Sequence, residues 1–465
     1  MSTIITNVAV VTMNETHEVI QHGFAAWKGG EITAVGTMDM LEALIAEETD
    51  EETDEETDDE RDDETDDETG ESLRLIDGKG GILMPGMVNL HAHMGMIPFR
   101  GLGDDCKDRL RIFLLPMEQR AMDAELVYLS TKYAAAEMLL AGVTTVFDMY
   151  YFEAEAARAM DEMGIRGIAG ETIMEEEACD FKDPYEALSY GESLMKKYQG
   201  HPRISACVAP HGTTTCSAGL LKAAWKLDDA FGAPFSLHTA EMDYEMDYFR
   251  ETSEQTPAGY LDSLGVLGKH TLAAHCIQMT EADLRLFAKR GASVAHCIGS
   301  NTKAAKGVAP VSRMRELGIF VGLGTDGPAS GNTLDLFTQM KLFANFHKNE
   351  TRNRSAFPAR QVVEMATIGG AKALHMEQKI GSIEVGKRAD LVLVETRSAN
   401  MFPIYDPYSA LVYSAGPSNV DMVFVEGTCV VKAGKLAEKS VEVLRGELAG
   451  KMAKTAFAEE VLFSL

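Results

Sequence analysis

The chain has 465 residues, of which 45% are apolar, and a formal net charge of −29, so its length predicts a large domain with a smaller one attached. This acidic balance argues against nucleic acid or an anionic membrane surface as a partner. The absence of a long apolar run, of a signal-peptide pattern and of any Cys-x-x-Cys pair predicts a cytoplasmic protein without a membrane span.

Short strand-like runs occur at both ends of the chain. They cover residues 4–11, 23–27, 31–35, 73–76, 390–394, 420–427, 428–431 and 434–436, and residues 441–457 read as a helix. We infer a small β-sandwich made from residues 1–84 and 384–440, with residues 85–383 inserted as a separate domain and a C-terminal helix over 441–465. Self-association into a homo-oligomer is left open.

The segment Glu47–Glu71 carries eighteen Asp or Glu residues, one Arg and no apolar residue. Such a segment buries no surface to offset the entropy of ordering it. It predicts a solvated, disordered loop, with cation binding as an alternative.

The inserted domain begins with a buried-strand pattern that ends in Asn89-Leu90-His91-Ala92-His93. Side chains two apart in a strand point to the same face, so His91 and His93 are expected to converge on one point. Two converging imidazoles offer two nitrogen ligands to a metal ion.

Four later apolar runs also end in a polar residue of a catalytic type. They end at His238, His275, His296 and Asp326. Helix-like stretches separate them, for example residues 281–290 and 312–317. A repeating strand–helix order with polar residues at the strand ends predicts a (β/α)8 TIM barrel, in which the site is built from the ends of several strands.

The order His91-x-His93, His238-x-x-Glu241, His275, Gly324-Thr325-Asp326-Gly327 resembles the amidohydrolase superfamily. Within it, the sequence is most similar to the branch of methylthioadenosine/S-adenosylhomocysteine deaminases and triazine chlorohydrolases. The resemblance covers nearly the whole chain outside the acidic segment. It implies an α/β fold in which a distorted (β/α)8 barrel is inserted in a β-sandwich made from both chain ends.

The resemblance also implies a metal site with the ligands His91, His93, His238 and Asp326. Three imidazole nitrogens and one carboxylate make an open catalytic site for one divalent ion, with Zn²⁺ expected and Fe²⁺ as the alternative. Members with two metals carry a carbamylated lysine on strand four. The corresponding run here, residues 203–211, contains no lysine, which predicts one metal ion.

The same resemblance assigns roles around the metal. Asp326 would accept a proton from the metal-bound water, Glu241 would carry a proton to the substrate ring, and His275 would orient the attacking oxygen. Substrate contacts are predicted for Glu118, His211 and His296.

These residues predict a hydrolytic deaminase that releases ammonia from an amino-heterocycle by attack of metal-bound hydroxide. An adenosine-type, methylthioadenosine-like nucleoside is the expected substrate, or a related aminopurine or pterin. The alternatives are a triazine hydrolase that displaces chloride or alkylamine, and a non-catalytic binding protein of this fold. The acidic run Glu171–Glu177 stands where S-adenosylhomocysteine deaminases carry arginines, which predicts substrates without a carboxylate.

Overall fold

The computed structural model describes residues 2–41, 73–107 and 109–457. The predicted acidic loop, residues 47–71, lies outside these residues. Among the helices that are described, none combines the length and the apolar character needed to cross a bilayer.

The strands are numbered in chain order. They are β1 (Ser2–Val11), β2 (Val19–Lys28), β3 (Glu31–Thr37), β4 (Arg74–Pro85), β5 (Met87–Ala92), β6 (Val143–Tyr150), β7 (Arg166–Ile173), β8 (Ile204–Pro210), β9 (Phe235–Thr239), β10 (Thr271–His275), β11 (Ser293–His296), β12 (Val321–Leu323), β13 (Leu391–Val394), β14 (Val420–Val425), β15 (Thr428–Lys432) and β16 (Lys435–Leu436).

Strands from both chain ends form one sheet of eight strands in the order β16-β15-β14-β13-β4-β1-β2-β3. The sheet curls over its own apolar face, so that Trp27 in β2 meets Phe424 in β14 with ring centroids 4.9 Å apart. The Trp27 indole also donates to the carbonyl of Gly427 at 3.2 Å. The prediction of a sheet domain made from both chain ends is therefore confirmed. The two layers of the predicted sandwich are the two halves of one curled sheet.

The barrel consists of two parallel four-stranded sheets, β5-β6-β7-β8 and β9-β10-β11-β12. Backbone hydrogen bonds join them at two seams. At one seam His238 N donates to His211 O at 3.2 Å, and at the other Asp326 N donates to His91 O at 2.9 Å. The predicted distorted (β/α)8 barrel is confirmed, and both of its seams lie at residues of the predicted site.

The helices that surround the barrel and close the chain vary in length. The longer ones are Leu115–Ala121, Ala124–Leu140, Glu153–Met163, Pro184–Lys197, Ala218–Phe231, Asp243–Ser253, Pro257–Leu264, Glu281–Arg290, Ile298–Lys303, Val311–Glu316, Leu336–Glu350, Ala359–Ala366, Ile368–Ala373 and Val441–Met452. Shorter helical turns are Met38–Met40, Met94–Phe99, Leu110–Leu114, Ala399–Met401, Pro407–Ser409, Ala410–Ser414 and Pro417–Asn419. The helix predicted over 281–290 has those bounds, whereas the C-terminal helix ends at Met452, earlier than predicted.

A buried ion-pair network attaches the sheet domain to the barrel. Arg166, the first residue of β7, donates from Nε to Asp390 Oδ2 at 3.0 Å and from Nη2 to Asp390 Oδ1 at 3.1 Å. It also pairs with Glu426, and Arg388 pairs with the same carboxylate. Because Asp390 and Glu426 belong to the sheet domain, this network joins the two parts of the molecule at the N-terminal end of the barrel strands.

Candidate metal centre

Three histidines cluster at the C-terminal ends of the barrel strands. Among the described residues, His91, His93 and His238 are the group whose possible ligand atoms all lie within 4.8 Å of one another. The ring centroid of His91 lies 4.7 Å from that of His93 and 4.9 Å from that of His238. The two-residue alternation in β5 therefore brings His91 and His93 together, as the sequence predicts.

Backbone carbonyls fix the orientation of two of these rings. Nδ1 of His93 lies 2.5 Å from the carbonyl oxygen of Met149, and Nδ1 of His238 lies 2.5 Å from that of His211. Because a carbonyl only accepts, Nδ1 carries the proton in each ring. Nε2 is then directed towards the cluster, which is how metal-binding histidines are usually held.

The donor set fits a divalent metal ion. His91 is fully buried, and neither of its ring nitrogens has a hydrogen-bond partner among the described residues. Burial lowers the pKa of His91 and of His238 well below the usual value, so both rings are neutral and have a lone pair to donate. A buried imidazole without a partner is costly, and a bound metal ion would supply the missing interaction.

Asp326 adds a carboxylate to this cluster. Its Oδ1 lies 3.3 Å from His93 Nε2, and its Oδ2 lies 4.0 Å from His275 Nε2. Burial would raise the pKa of Asp326, but His93 and His275 hold it well below its usual value. Burial alone would lower the pKa of His93. The hydrogen bond and the charge of Asp326 outweigh the effect of burial and raise the pKa of His93 to about 9. A metal ion bound at Nε2 would displace that proton.

Local backbone geometry positions the Asp326 carboxylate. Asp326 has φ of 59°, a left-handed conformation that costs a non-glycine residue roughly 1–3 kcal/mol. The side chain of Asn89 holds this turn, since it donates to Thr325 Oγ1 at 2.8 Å and accepts from Thr325 N at 3.0 Å. A Cβ added to Gly324 would lie only 2.9 Å from Cys297 Sγ and 3.1 Å from His91 Cβ, so glycine allows β12 to approach β5.

Glu241 and His275 face each other beside the cluster. His275 Nε2 lies 3.5 Å from Glu241 Oε1, and the same oxygen pairs with Lys306 Nζ. Burial opposes ionisation of Glu241, but His275 and Lys306 outweigh it and lower its pKa to about 2. The structure therefore brings the three predicted catalytic residues, Glu241, His275 and Asp326, together around the three histidines.

A cavity of about 520 Å³ opens onto this centre. Glu118 and His211 line it, as expected for residues that contact a substrate. Tyr150 donates to Glu118 Oε1 at 2.6 Å, and Nδ1 of His211 lies 3.0 Å from Thr215 Oγ1. Burial raises the pKa of Glu118 to about 7, although the hydrogen bond from Tyr150 acts to lower it. Burial lowers the pKa of His211 to about 4.

The prediction that His296 contacts substrate is not supported. His296 is fully buried, does not line the cavity, and packs against Phe343 and His347 of the helix Leu336–Glu350, with ring centroids 5.5 Å from each. Its side chain leaves β11 towards this helix, so the residue belongs to the packing behind the site.

The glutamates of the run 171–177 do not lie where the sequence predicts them, at the substrate site. Glu171 is buried in β7, where its Oε2 accepts from Glu153 N at 3.0 Å, and Glu175 accepts from Ser217 N at 3.2 Å. None of the glutamates in this run lines the cavity. Basic side chains do line it: Lys107, Arg109, Arg111, Lys303 and Lys306. The sequence carries no pattern that marks Lys107, Lys303 and Lys306 as cavity residues.

Comparison with known proteins agrees with this geometry. The family model described as "Amidohydrolase family" matches residues 82–430. The chain belongs to the amidohydrolase family. It is a hydrolase acting on carbon–nitrogen bonds, so the non-catalytic alternative is not retained.

Among curated relatives, the 5-methylthioadenosine/S-adenosylhomocysteine deaminase 1 of Syntrophus aciditrophicus is 36% identical over 438 residues, 94% of this chain and 93% of that protein. The zinc-bound structure of an adenosine deaminase from Xanthomonas campestris matches with a TM-score of 0.89 and 29% identity, over 97% of this chain and 98% of the other. An atrazine chlorohydrolase from Arthrobacter aurescens TC1 matches with a TM-score of 0.84 and 21% identity, over 97% and 100%, which is a likeness of fold.

We expect this amidohydrolase to bind one divalent metal ion per chain. The strand-four position of a bridging lysine lies in β8, whose sequence Ile-Ser-Ala-Cys-Val-Ala-Pro has no lysine. Elemental analysis of the purified protein should give about one equivalent of zinc or iron per chain. Two equivalents that survive dialysis against a chelator would contradict this expectation.

Proposed function

We propose that this protein is a zinc-dependent deaminase of adenosine-type nucleosides, with a methylthioadenosine-like nucleoside as substrate. The observation that carries the proposal is the pair Glu241 and His275 beside the ligand set His91, His93, His238 and Asp326, at the base of a cavity. Deamination of an aromatic amidine needs an activated water and a group that protonates the ring, and this arrangement offers both. The 36% identical relative named as a deaminase supports the same reaction.

Asp326, Glu241 and His275 are proposed to move or orient the protons of the reaction. His91, His93, His238 and Asp326 would hold the zinc ion, which would lower the pKa of a bound water molecule towards neutrality. Glu241, which is ionised, takes one proton from the attacking water and passes it to the ring nitrogen next to the carbon under attack, while His275 hydrogen bonds to the attacking oxygen. Asp326, which is also ionised, takes the second proton of that water. The carbon–amine bond then breaks as Asp326 passes this proton to the amine, which leaves as ammonia, and a carbonyl replaces it.

Glu118 and His211 are proposed to hold the sugar. The Glu118 carboxylate has one oxygen on Tyr150, which leaves the other for the hydroxyls of a ribose. Substrates with a carboxylate are not excluded, because none of the glutamates of the run 171–177 lines the cavity.

The test is an ammonia-release assay on the metal-loaded protein, with products identified by mass spectrometry. Adenosine, methylthioadenosine and S-adenosylhomocysteine are compared with a pterin and with chlorinated and alkylamino triazines, and kcat/KM ranks them. The proposal expects ammonia and the matching inosine product from the nucleosides. Turnover of the triazines alone would overturn it in favour of the rival reaction, for which the relatives at 20–21% identity support only the fold.

The ionisation of Glu118 gives a pH prediction. Because its pKa is about 7, the carboxylate that accepts ribose hydroxyls is present above that pH and is protonated below it. We therefore expect kcat/KM for adenosine to rise as pH increases through about 7. A hydrogen bond to a charged group contributes about 1.5–3 kcal/mol, so the rise should be roughly 10- to 150-fold.

The matched control is 2′,3′-dideoxyadenosine, which has no ribose diol and should not show this rise. Glu118→Gln should remove the rise for adenosine as well. An unchanged pH profile for adenosine in Glu118→Gln would show that another group titrates.

A further inference from the structure

One short segment contacts both Glu241 and His275. The segment Ile298–Gly307 follows β11 and passes along the cavity. Asn301 Oδ1 lies 2.8 Å from Nδ1 of His275, and Lys306 Nζ pairs with Glu241 Oε1. The backbone ties these two contacts together, since Lys306 N donates to Asn301 O at 3.0 Å.

The pair formed by Lys306 and Glu241 differs from an ordinary surface ion pair. The two side chains are only 20% and 16% exposed, and both line the cavity. Charges that are this well shielded from water interact more strongly than exposed ones. The backbone also fixes the lysine, because the carbonyl of Lys306 accepts from Gln278 Nε2 at 3.4 Å and Ala305 before it has a left-handed φ of 54°.

We propose that Lys306 is a positioning residue for Glu241. The Lys306 ammonium group holds Oε1 of Glu241, the oxygen that also faces His275. This contact directs the other oxygen of the carboxylate, Oε2, to the substrate ring. Without this contact, the Glu241 side chain would rotate among several conformers, and few of them would present an oxygen to the ring. This inference rests on the proton-carrying role proposed for Glu241.

A direct substrate contact by Lys306 would have a different kinetic signature. A group that binds substrate equally in the ground state and the transition state changes KM and leaves kcat unchanged. A group that only aligns Glu241 changes kcat, because displacement of a reacting group by about 1 Å costs up to about 100-fold in rate.

The experiment is a double-mutant cycle on the zinc-loaded enzyme with adenosine as substrate. Lys306→Met should lower kcat by about 10- to 100-fold and change KM by less than about threefold, with zinc content unchanged. Lys306→Arg keeps the cation and should recover most of the loss. In the Glu241→Gln background, Lys306→Met should change the residual kcat by less than about twofold, because its effect acts through Glu241.

Lys303→Met is the matched control, since Lys303 lines the same cavity but pairs with Asp104 Oδ1 at 2.9 Å. Its effect on kcat should be the same with Glu241 or Gln at position 241. If Lys306→Met does not fold, Lys306→Gln replaces it in the cycle.

Equal losses of kcat from Lys306→Met in both backgrounds, or a change confined to KM, would overturn the inference. Failure of the proposed function would be distinct, because the unaltered enzyme would then release no ammonia from the nucleoside.

Discussion

Glu241→Gln is expected to lower turnover by at least about 100-fold while the protein keeps its metal. The substitution preserves the shape of the side chain and removes its basicity, so it removes the proton transfer, which contributes about 10²–10⁴-fold. Metal should remain because Glu241 contacts His275 and Lys306, whereas the clustered nitrogens belong to His91, His93 and His238.

The measurement is kcat together with metal content per chain. Glu175→Gln serves as the control, because Glu175 is an exposed glutamate outside the cavity and should tolerate the same chemical change. Loss of metal from Glu241→Gln would show that Glu241 is a ligand. Turnover within about threefold of the unaltered enzyme would show that another group carries the proton.

Arg166→Met should lower the free energy of unfolding by about 3–5 kcal/mol, because removal of one partner from a buried ion pair leaves an uncompensated charge. The side chains of Arg166 and Asp390 are 3% and 1% exposed, so neither is well solvated. Arg388 would still pair with Glu426, but in the absence of Arg166 no described ion pair remains on Asp390.

Denaturant unfolding of the metal-loaded protein measures this effect. Arg250→Met is the matched control: Arg250 pairs with Asp247 on an exposed helix, with side chains 68% and 56% exposed. Exposed pairs contribute about 0–1 kcal/mol, so the control should change stability little. An equal effect of both substitutions would show that the Arg166 network adds nothing beyond a surface pair.

The sequence predicted the barrel well because its strands carry a repeated chemical pattern. Apolar runs that end in His238, His275 and Asp326 mark strand ends, and the parallel strands of a barrel bring those ends to one face. The convergence of His91 and His93 also followed from alternation along a strand. These inferences need only the alternation of side chains along a strand and the parallel strand order of a (β/α)8 barrel.

The sequence could not show which way a side chain leaves a strand end. His296 ends β11 as His275 ends β10, yet it packs behind the site. His275 itself has a left-handed φ of 71°, so simple alternation does not describe the residue that ends that strand. Lys306 was missed for a related reason, because its approach to Glu241 depends on the path of a whole loop.

The sheet that combines the two chain ends has a consequence for synthesis on the ribosome. Pro85 in β4 pairs with Leu391 in β13, and about 300 residues are translated between them, which takes about 15–60 s at usual elongation rates. Throughout that interval one edge of β4 has no partner and exposes unsatisfied backbone groups to other nascent chains. The barrel seam between His91 and Asp326 has a shorter delay, because about 235 residues separate its two sides, which takes about 12–47 s at the same rates. The barrel strands therefore emerge before the eight-stranded sheet can be completed, and the edge of β4 stays open to misassembly with other chains until the strands from Leu391 onwards emerge.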